Sequence, residues 1–201
     1  MKILVIGATG TIGSAIVQAL EARHEVLRAS HSRSALKVDL ADPQSIKSLY
    51  AKVGKVDAVV SAAGQAVFRP LLALSDADFA VGLNNKLMGQ VNLVHFGVEA
   101  LADGGSFTLT SGILSRKPMP GGAAISMVNA GLEGFARAAA LDLPRNLRIN
   151  VVSPGWVRET LIAMKMDPSP GVPAAQVAPI YVRAVEGSMT GQVLDAVLGA
   201  S

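Results

Sequence analysis

The sequence predicts an α/β fold: a doubly wound parallel sheet with helices on both faces, in a single domain. Three observations carry that expectation. Short unbroken apolar runs alternate with longer stretches whose apolar residues recur at helical spacing. Glycine and proline–glycine signals fall where the apolar runs end, at Gly7, Gly64, Ser111-Gly112 and Pro154-Gly155. The chain has 201 residues, 50% of them hydrophobic and only 16% charged, which supports one packed core and excludes a disordered chain.

Residues 3–6 (ILVI) are four consecutive apolar residues, the mark of a strand buried on both faces. In 14–20, Ile16, Val17 and Leu20 form one helical face. Residues 25–30 read as a second strand and 35–38 as a third. A parallel crossover usually takes a dozen residues or more, so the third strand is vestigial or reaches its place without a helix. Residues 45–53 are helical, with Ile46, Leu49, Tyr50 and Val53 on one side. Residues 57–61 (DAVVS) are another buried strand, and 76–101 hold one long helix or two. A strand at 106–110, a long small-residue helix at 123–143, a strand at 148–152 and a last strand at 191–198 complete the pattern. The Pro/Gly-rich stretch 167–173 reads as a loop, within a segment, 161–180, expected to form a substrate lid.

Composition narrows the function classes. The net charge is +3 and the longest basic cluster is Arg116-Lys117, so no nucleic-acid patch is expected; aromatics, at 4%, are too scarce for stacking platforms. There is no cysteine, which excludes disulfides, zinc–thiolate sites and a cysteine nucleophile, and fits a reducing compartment. No run of about 18 apolar residues passes without a charge, glycine or proline, so no membrane span is expected. The N-terminal apolar run leads into a glycine motif and reads as a buried strand instead of a signal peptide; the expected location is the cytoplasm. His24, His31 and His95 lack metal-site spacing, so no metal is expected, and His95 reads as packed among Val91, Val94 and Val98. Met119, Met127, Met164 and Met166 either line an apolar pocket or fill core gaps.

Gly7, Thr9, Gly10, Thr11, Ile12 and Gly13 lie where the first strand meets the first helix. A diphosphate needs bare backbone N–H groups and the positive end of a helix dipole, and a glycine triplet there supplies both. This is the arrangement of a Rossmann-like dinucleotide site. Between Glu25 and Asp39 the chain offers no acid for a free ribose 2′-hydroxyl; it offers Arg28, Ser30 and Arg33, which suit a 2′-phosphate. The expected cofactor is therefore NADP(H).

The pieces GATGTIG (7–13), VDL (38–40), SAAG (61–64), TSG (110–112), AISMVNAG (124–131) and INVVSPGWVRET (149–160) together make the chain resemble the short-chain dehydrogenase/reductase family. The resemblance implies that Asp39 and Leu40 flank the adenine, that Ala62, Ala63 and Gly64 line the ribose, and that Pro154, Gly155, Val157 and Thr160 meet the nicotinamide half. It implies a homodimer or homotetramer, with the small-residue helix 123–143 at the subunit interface. The chain is shorter than typical members, chiefly in its second crossover and C-terminal third.

The resemblance also implies a tyrosine and a lysine four residues apart, a serine beside them and an upstream asparagine. Aligned on AISMVNAG, the tyrosine position holds Ile125 and the lysine position Asn129; the serine position falls at Ser111 or Gly112, and the asparagine position holds Lys86. Isoleucine has no proton to give. Lys86 is the best replacement acid, because burial lowers a lysine pKa towards neutrality; the competing reading is an exposed helix lysine paired with Asp76 or Asp78. Ser111 is the candidate to bond a substrate oxygen. Two functions remain open. One is an NADP(H)-dependent oxidoreductase acting on a small carbonyl or alcohol through an atypical site. The other is a non-catalytic NADP(H)-binding sensor or regulatory protein.

Overall fold

A computed structural model describes residues 1–196. Seven parallel strands form one sheet in the order β3-β2-β1-β4-β5-β6-β7. They are β1 (Lys2–Ile6), β2 (Glu25–Ser30), β3 (Leu36–Lys37), β4 (Val56–Ser61), β5 (Leu101–Thr110), β6 (Arg148–Pro154) and β7 (Val193–Ala196). The winding direction reverses between β1 and β4, so the crevice past their C-terminal ends is where such a sheet takes a ligand.

Alternation within β1 sends Ile3 and Val5 to one face and Leu4 and Ile6 to the other. Helices α1 (Thr11–Glu21) and α7 (Ala174–Glu186) cover the first face through Ile16, Leu20, Val177 and Tyr181. Helices α2 (Pro43–Val53), α4 (Met88–Gly97) and α5 (Ala123–Asp142) cover the second through Ile46, Leu49, Leu93, Leu132 and Ala136. Each large side chain fully buried this way contributes about 1.5–3 kcal/mol. The two-sided burial is why the strands read as continuous apolar runs.

Helix α2 starts on Asp42, whose carboxylate accepts from the Gln44 amide at 2.9 Å, with Pro43 at the first helical position. Helix α3 (Asp76–Val81) begins with a capping box between Ser75 and Asp78. Helices α3 and α4 are joined without a break by a π turn, Gly82–Leu87, in which the Met88 amide bonds the Leu83 carbonyl. The alternative of one helix or two is thus resolved as one run with an extra residue in it. Gln90 then ties α4 to β5: its side-chain amide donates to the Thr110 carbonyl (3.0 Å) and accepts from the Thr110 N–H (2.9 Å).

The expected third strand is both vestigial and reached without a helix: it has two residues and pairs parallel with β2. Several expectations need correction. The strand expected at 106–110 begins at Leu101, with a register shift against β4 that the Asp103-Gly104-Gly105 stretch conceals. The segment 161–180 is not uniformly loop-like. It includes the end of α6 (Arg158–Ala163), an exposed loop at 164–170, and the first half of α7, where Ala174, Val177 and Ala178 are buried. Pro179 within α7 masks a regular apolar stripe that continues through Tyr181, Ala184 and Val185. Glu159 caps α7 by accepting from the Ala174 N–H. His95 is exposed, its ring tilted against Phe96, because the buried side of α4 is formed by Leu93, Val94 and Gly97. Of the strand expected at 191–198, Val197 and Leu198 lie outside the described residues. Among the described residues no helix is long and apolar enough to cross a membrane.

Candidate functional site

The site begins at the turn between β1 and α1. Gly7 has φ +81°, and a Cβ there would stand 2.6 Å from the Ala62 carbonyl oxygen. A Cβ on Gly13 would stand 2.0 Å from the Gly7 carbonyl oxygen. Helix α1 is therefore packed onto its own turn, and only glycine permits it. No side chain caps α1, whose N-terminal residue before the helix is Gly10. Its first-turn N–H groups, on Thr11, Ile12 and Gly13, have no intrahelical acceptor and point outward with the helix dipole behind them. An uncapped helix start behind a glycine turn fits a diphosphate.

The two expected arginines part company. Arg33 reaches over the glycine turn, its Nη2 donating to the Thr9 carbonyl (2.9 Å) and its amide to Ser30 Oγ (3.0 Å). Arg28 pairs with Glu21 at the far end of α1 and is withdrawn from the turn, because it lies mid-strand opposite Val5. Strand alternation alone placed Arg28 and Ser30 together; the acid on the neighbouring helix decides where the guanidinium goes. Beside Arg33 a hollow is lined by Gly7, Ser30, His31, Leu40, Ala63, Gly64 and Asn85. Leu40 is buried, and Asp39 holds the Ala41 amide at 2.9 Å while its own amide donates to Ser45 Oγ. Ala62 follows β4 and bonds the Ile6 carbonyl through its N–H.

Further along the strand ends lies a cleft of about 170 Å³. Ile12, Pro154, Gly155, Trp156, Val157 and Thr160 form one side; Lys86, Ser111, Gly112, Ile113, Leu114, Ile125 and Asn129 form the other. The hollow beside the glycine turn and this cleft thus both lie at the C-terminal ends of the strands.

Lys86 comes from the π turn. Its stem packs on Gly64, where a Cβ would be 2.7 Å from Cγ, and its Nζ donates to the Ser111 carbonyl at 3.2 Å. Burial lowers its pKa from 10.5 to about 8. The competing reading of an exposed lysine paired with Asp76 or Asp78 is not what is found: Asp78 is taken by Arg69 and Ser75, which hold its carboxyl below the usual range. Ser111 is buried, and its hydroxyl donates to Glu133 Oε1 at 2.9 Å; Ser115 donates to the same oxygen at 2.7 Å. Asn129 is 1% exposed, and its Oδ1 has no partner. A Cβ on Gly112 would stand 3.0 Å from Asn129 Nδ2.

Sequence reasoning passed over Glu133 and Trp156. The signal for Glu133 was available: it falls in register with the buried stripe Ala124, Val128, Leu132, Ala136, where a charge is unexpected. Both tyrosines are spoken for in the core. Tyr50 donates to the Leu93 carbonyl (2.6 Å), Tyr181 shares a hydrogen bond with Thr110 Oγ1 (2.8 Å), and burial pushes both phenols up. The four methionines fill neither expected role, since Met119, Met127, Met164 and Met166 are all exposed and outside the cleft lining. Among the described residues, no cluster of three His, Asp or Glu could hold a metal.

Comparisons with known proteins find relatives over most of this chain. A family model described as enoyl-(acyl carrier protein) reductase matches residues 8–186. The crystal structure of the protein lin1944 from Listeria innocua is 44% identical, with a TM-score of 0.94 over 97% of this chain and 98% of that one. A small-chain dehydrogenase solved in complex with NADPH is 28% identical, with a TM-score of 0.86 over 99% of each chain. A hydroxynaphthalene reductase of Aspergillus fumigatus is 30% identical over 132 residues, 63% of this chain and 48% of that protein. The chain spans about half the length of the curated relatives that it matches.

Proposed function

Because this chain belongs to the short-chain dehydrogenase/reductase family of oxidoreductases, we propose that it is an NADP(H)-dependent enzyme that interconverts a small carbonyl compound and its alcohol through an atypical active site. The diphosphate would lie on the N–H groups of Thr11, Ile12 and Gly13, with Gly7 and Gly10 giving it access. Arg33, with Ser30 and Thr9 beside it, would receive the 2′-phosphate; Arg28 is dropped from that role. Asp39 and Leu40 would bound the adenine, Ala62, Ala63 and Gly64 the ribose, and Pro154, Gly155, Val157 and Thr160 the nicotinamide half. A relative bound to NADPH supports the phosphorylated form of the cofactor.

The single observation that carries catalysis is the Lys86 ammonium in a mostly apolar cleft. When bound, the reduced nicotinamide supplies a hydride to the carbonyl carbon. The electron pair of the C=O bond moves onto oxygen, and Lys86 Nζ gives that oxygen a proton. The neutral amine is then reprotonated from water. A group with a pKa near 8 is suited to this exchange at physiological pH. Ser111, its hydroxyl anchored on Glu133, holds the carbonyl that orients Lys86. Ile125 and Asn129, at the tyrosine and lysine positions of the family, leave Lys86 as the acid.

The second reading, a sensor that binds NADP(H) without turning it over, is favoured by Ile125, which offers no proton. Calorimetric titration with NADPH and NADH tests binding, and NADPH absorbance with a panel of ketones and aldehydes tests turnover. Tight binding with no consumption across the panel selects the sensor; no binding of either coenzyme rejects both readings. The exposed loop at 164–170 would act as the lid over the cleft. The groove formed by Val91, Val94, Val98, Phe135, Ala138 and Ala139 would join subunits into a homodimer or homotetramer. Sedimentation showing only a 20.7 kDa species would reject that assembly.

A further inference from the structure

Lys86 is the one charged residue lining the cleft. An ammonium has three N–H donors. One is on the Ser111 carbonyl, and no carboxylate among the described residues pairs with the group, whose pKa is moved by burial alone. Glu133, bonded to the hydroxyl of the same serine, already receives two hydroxyl donors at Oε1. Two N–H groups of a partly buried cation are therefore left for a ligand. Behind the cleft lining is a second unmet polar group, the carbonyl oxygen of the Asn129 side chain, which is sealed from solvent and lacks a donor. Burying either group unpaired is costly. The ligand that meets both demands is negatively charged at one end of its polar part and carries a hydroxyl beside the charge. The rest of it must be apolar, to lie against Ile113, Ile125 and Trp156.

We propose that the cleft takes apolar 2-oxo and 2-hydroxy acids, whose carboxylate and neighbouring oxygen share the two free N–H groups of Lys86. This rests on the reading of the cleft as the reaction site and names its substrate class. In the 2-oxo form both ligand oxygens accept from Lys86, which places the keto oxygen on the group that protonates it. In the 2-hydroxy form the Asn129 side chain turns so that its buried Oδ1 accepts from the new hydroxyl. The asparagine thereby favours the alcohol, whose proton has somewhere to go, and Lys86 discriminates acids from neutral ketones of the same shape.

The test compares phenylpyruvate with phenylacetone, which replaces the carboxylate by a methyl group. Each is titrated calorimetrically into the full-length protein, alone and saturated with NADP+. Phenylpyruvate is expected to bind at least tenfold more tightly, and the preference should shrink as salt is raised. Lys86→Gln should abolish it, while Lys86→Arg, which keeps the charge, should retain most of it. Asn129→Leu should weaken phenyllactate more than phenylpyruvate. Equal affinity for acid and ketone in the wild-type protein, or a preference that survives in Lys86→Gln, overturns the assignment. Failure to bind NADP+ would strike the oxidoreductase reading and leave this comparison readable, because it is also run on cofactor-free protein.

Discussion

Lys86 and Glu133 hold opposite ends of one residue: the ammonium donates to the Ser111 carbonyl at 3.2 Å, and the carboxylate accepts from the Ser111 hydroxyl at 2.9 Å. The cation faces the cleft and the anion is 3% exposed. The floor of the cleft is thus set by a half-buried lysine and a buried carboxyl group acting through a serine that neither contributes a charge nor moves freely.

The pH profile follows from the Lys86 value of about 8. Carbonyl reduction needs the protonated amine, so NADPH oxidation should be flat at pH 6–7, fall by half near pH 8, and drop about tenfold per unit above that. Alcohol oxidation needs the neutral amine and should rise over the same range. Initial rates in both directions, followed at 340 nm, check this; parallel profiles would remove Lys86 from the proton step.

The same shift predicts a stability effect. The folded pKa lies below the unfolded value of 10.5, so the unfolded chain binds more protons between about 8 and 10.5, and stability should rise with pH across that window. Below pH 8 the folded protein bears the cost of the buried charge. Lys86→Met should therefore raise the melting temperature at pH 6.5 by several degrees while abolishing turnover, an effect of about 1–3 kcal/mol. Scanning calorimetry at pH 6.5 and 10 measures both arms.

Cofactor choice should depend on Arg33 and not on Arg28. Arg33→Ala removes a charge-assisted contact of about 1.5–3 kcal/mol, so NADPH affinity should fall roughly 10- to 150-fold with little change for NADH. Arg28→Ala should leave both unchanged, because its partner is Glu21. Ser30→Asp should invert the preference. Calorimetric Kd values for the two coenzymes decide each case.

Glu133→Ala leaves the Ser111 and Ser115 hydroxyls without their shared acceptor. The expected loss is about 1–3 kcal/mol, read as a lower denaturant midpoint at an unchanged slope. Glu133→Gln, which keeps one acceptor oxygen, should recover part of it.

The alternation of elements and the glycine turn were legible because each is local: a run of residues dictates a strand, and a strand dictates where its loop falls. Arg28 was misplaced because a helix acid 7 positions earlier, Glu21, outbids the loop for its guanidinium. Helix α7 was hidden by Pro179, although Ala174, Val177, Ala178 and Tyr181 already spell its stripe. His95 reads as packed only if the apolar arc of α4 is centred one residue away from where it lies. Lys86 was identified through the family resemblance, as the residue at the asparagine position, but its orientation could not be read, since it depends on how the backbone is wound through Gly82–Leu87.

That winding has a consequence of its own. A surplus residue in a helix offsets everything after it by about 100° of rotation relative to a regular coil. In the long helical run from Asp76 to Gly97, the N-terminal half is aimed by the Ser75 cap and the C-terminal half by the grip of Gln90 on Thr110. The two aims are out of phase, and the mismatch is absorbed at the spot where Lys86 emerges. Deleting one residue there would bring the coil into phase and carry the ammonium round the axis, away from the serine carbonyl. The placement of Lys86 is in that sense a matter of angular register along a single rod.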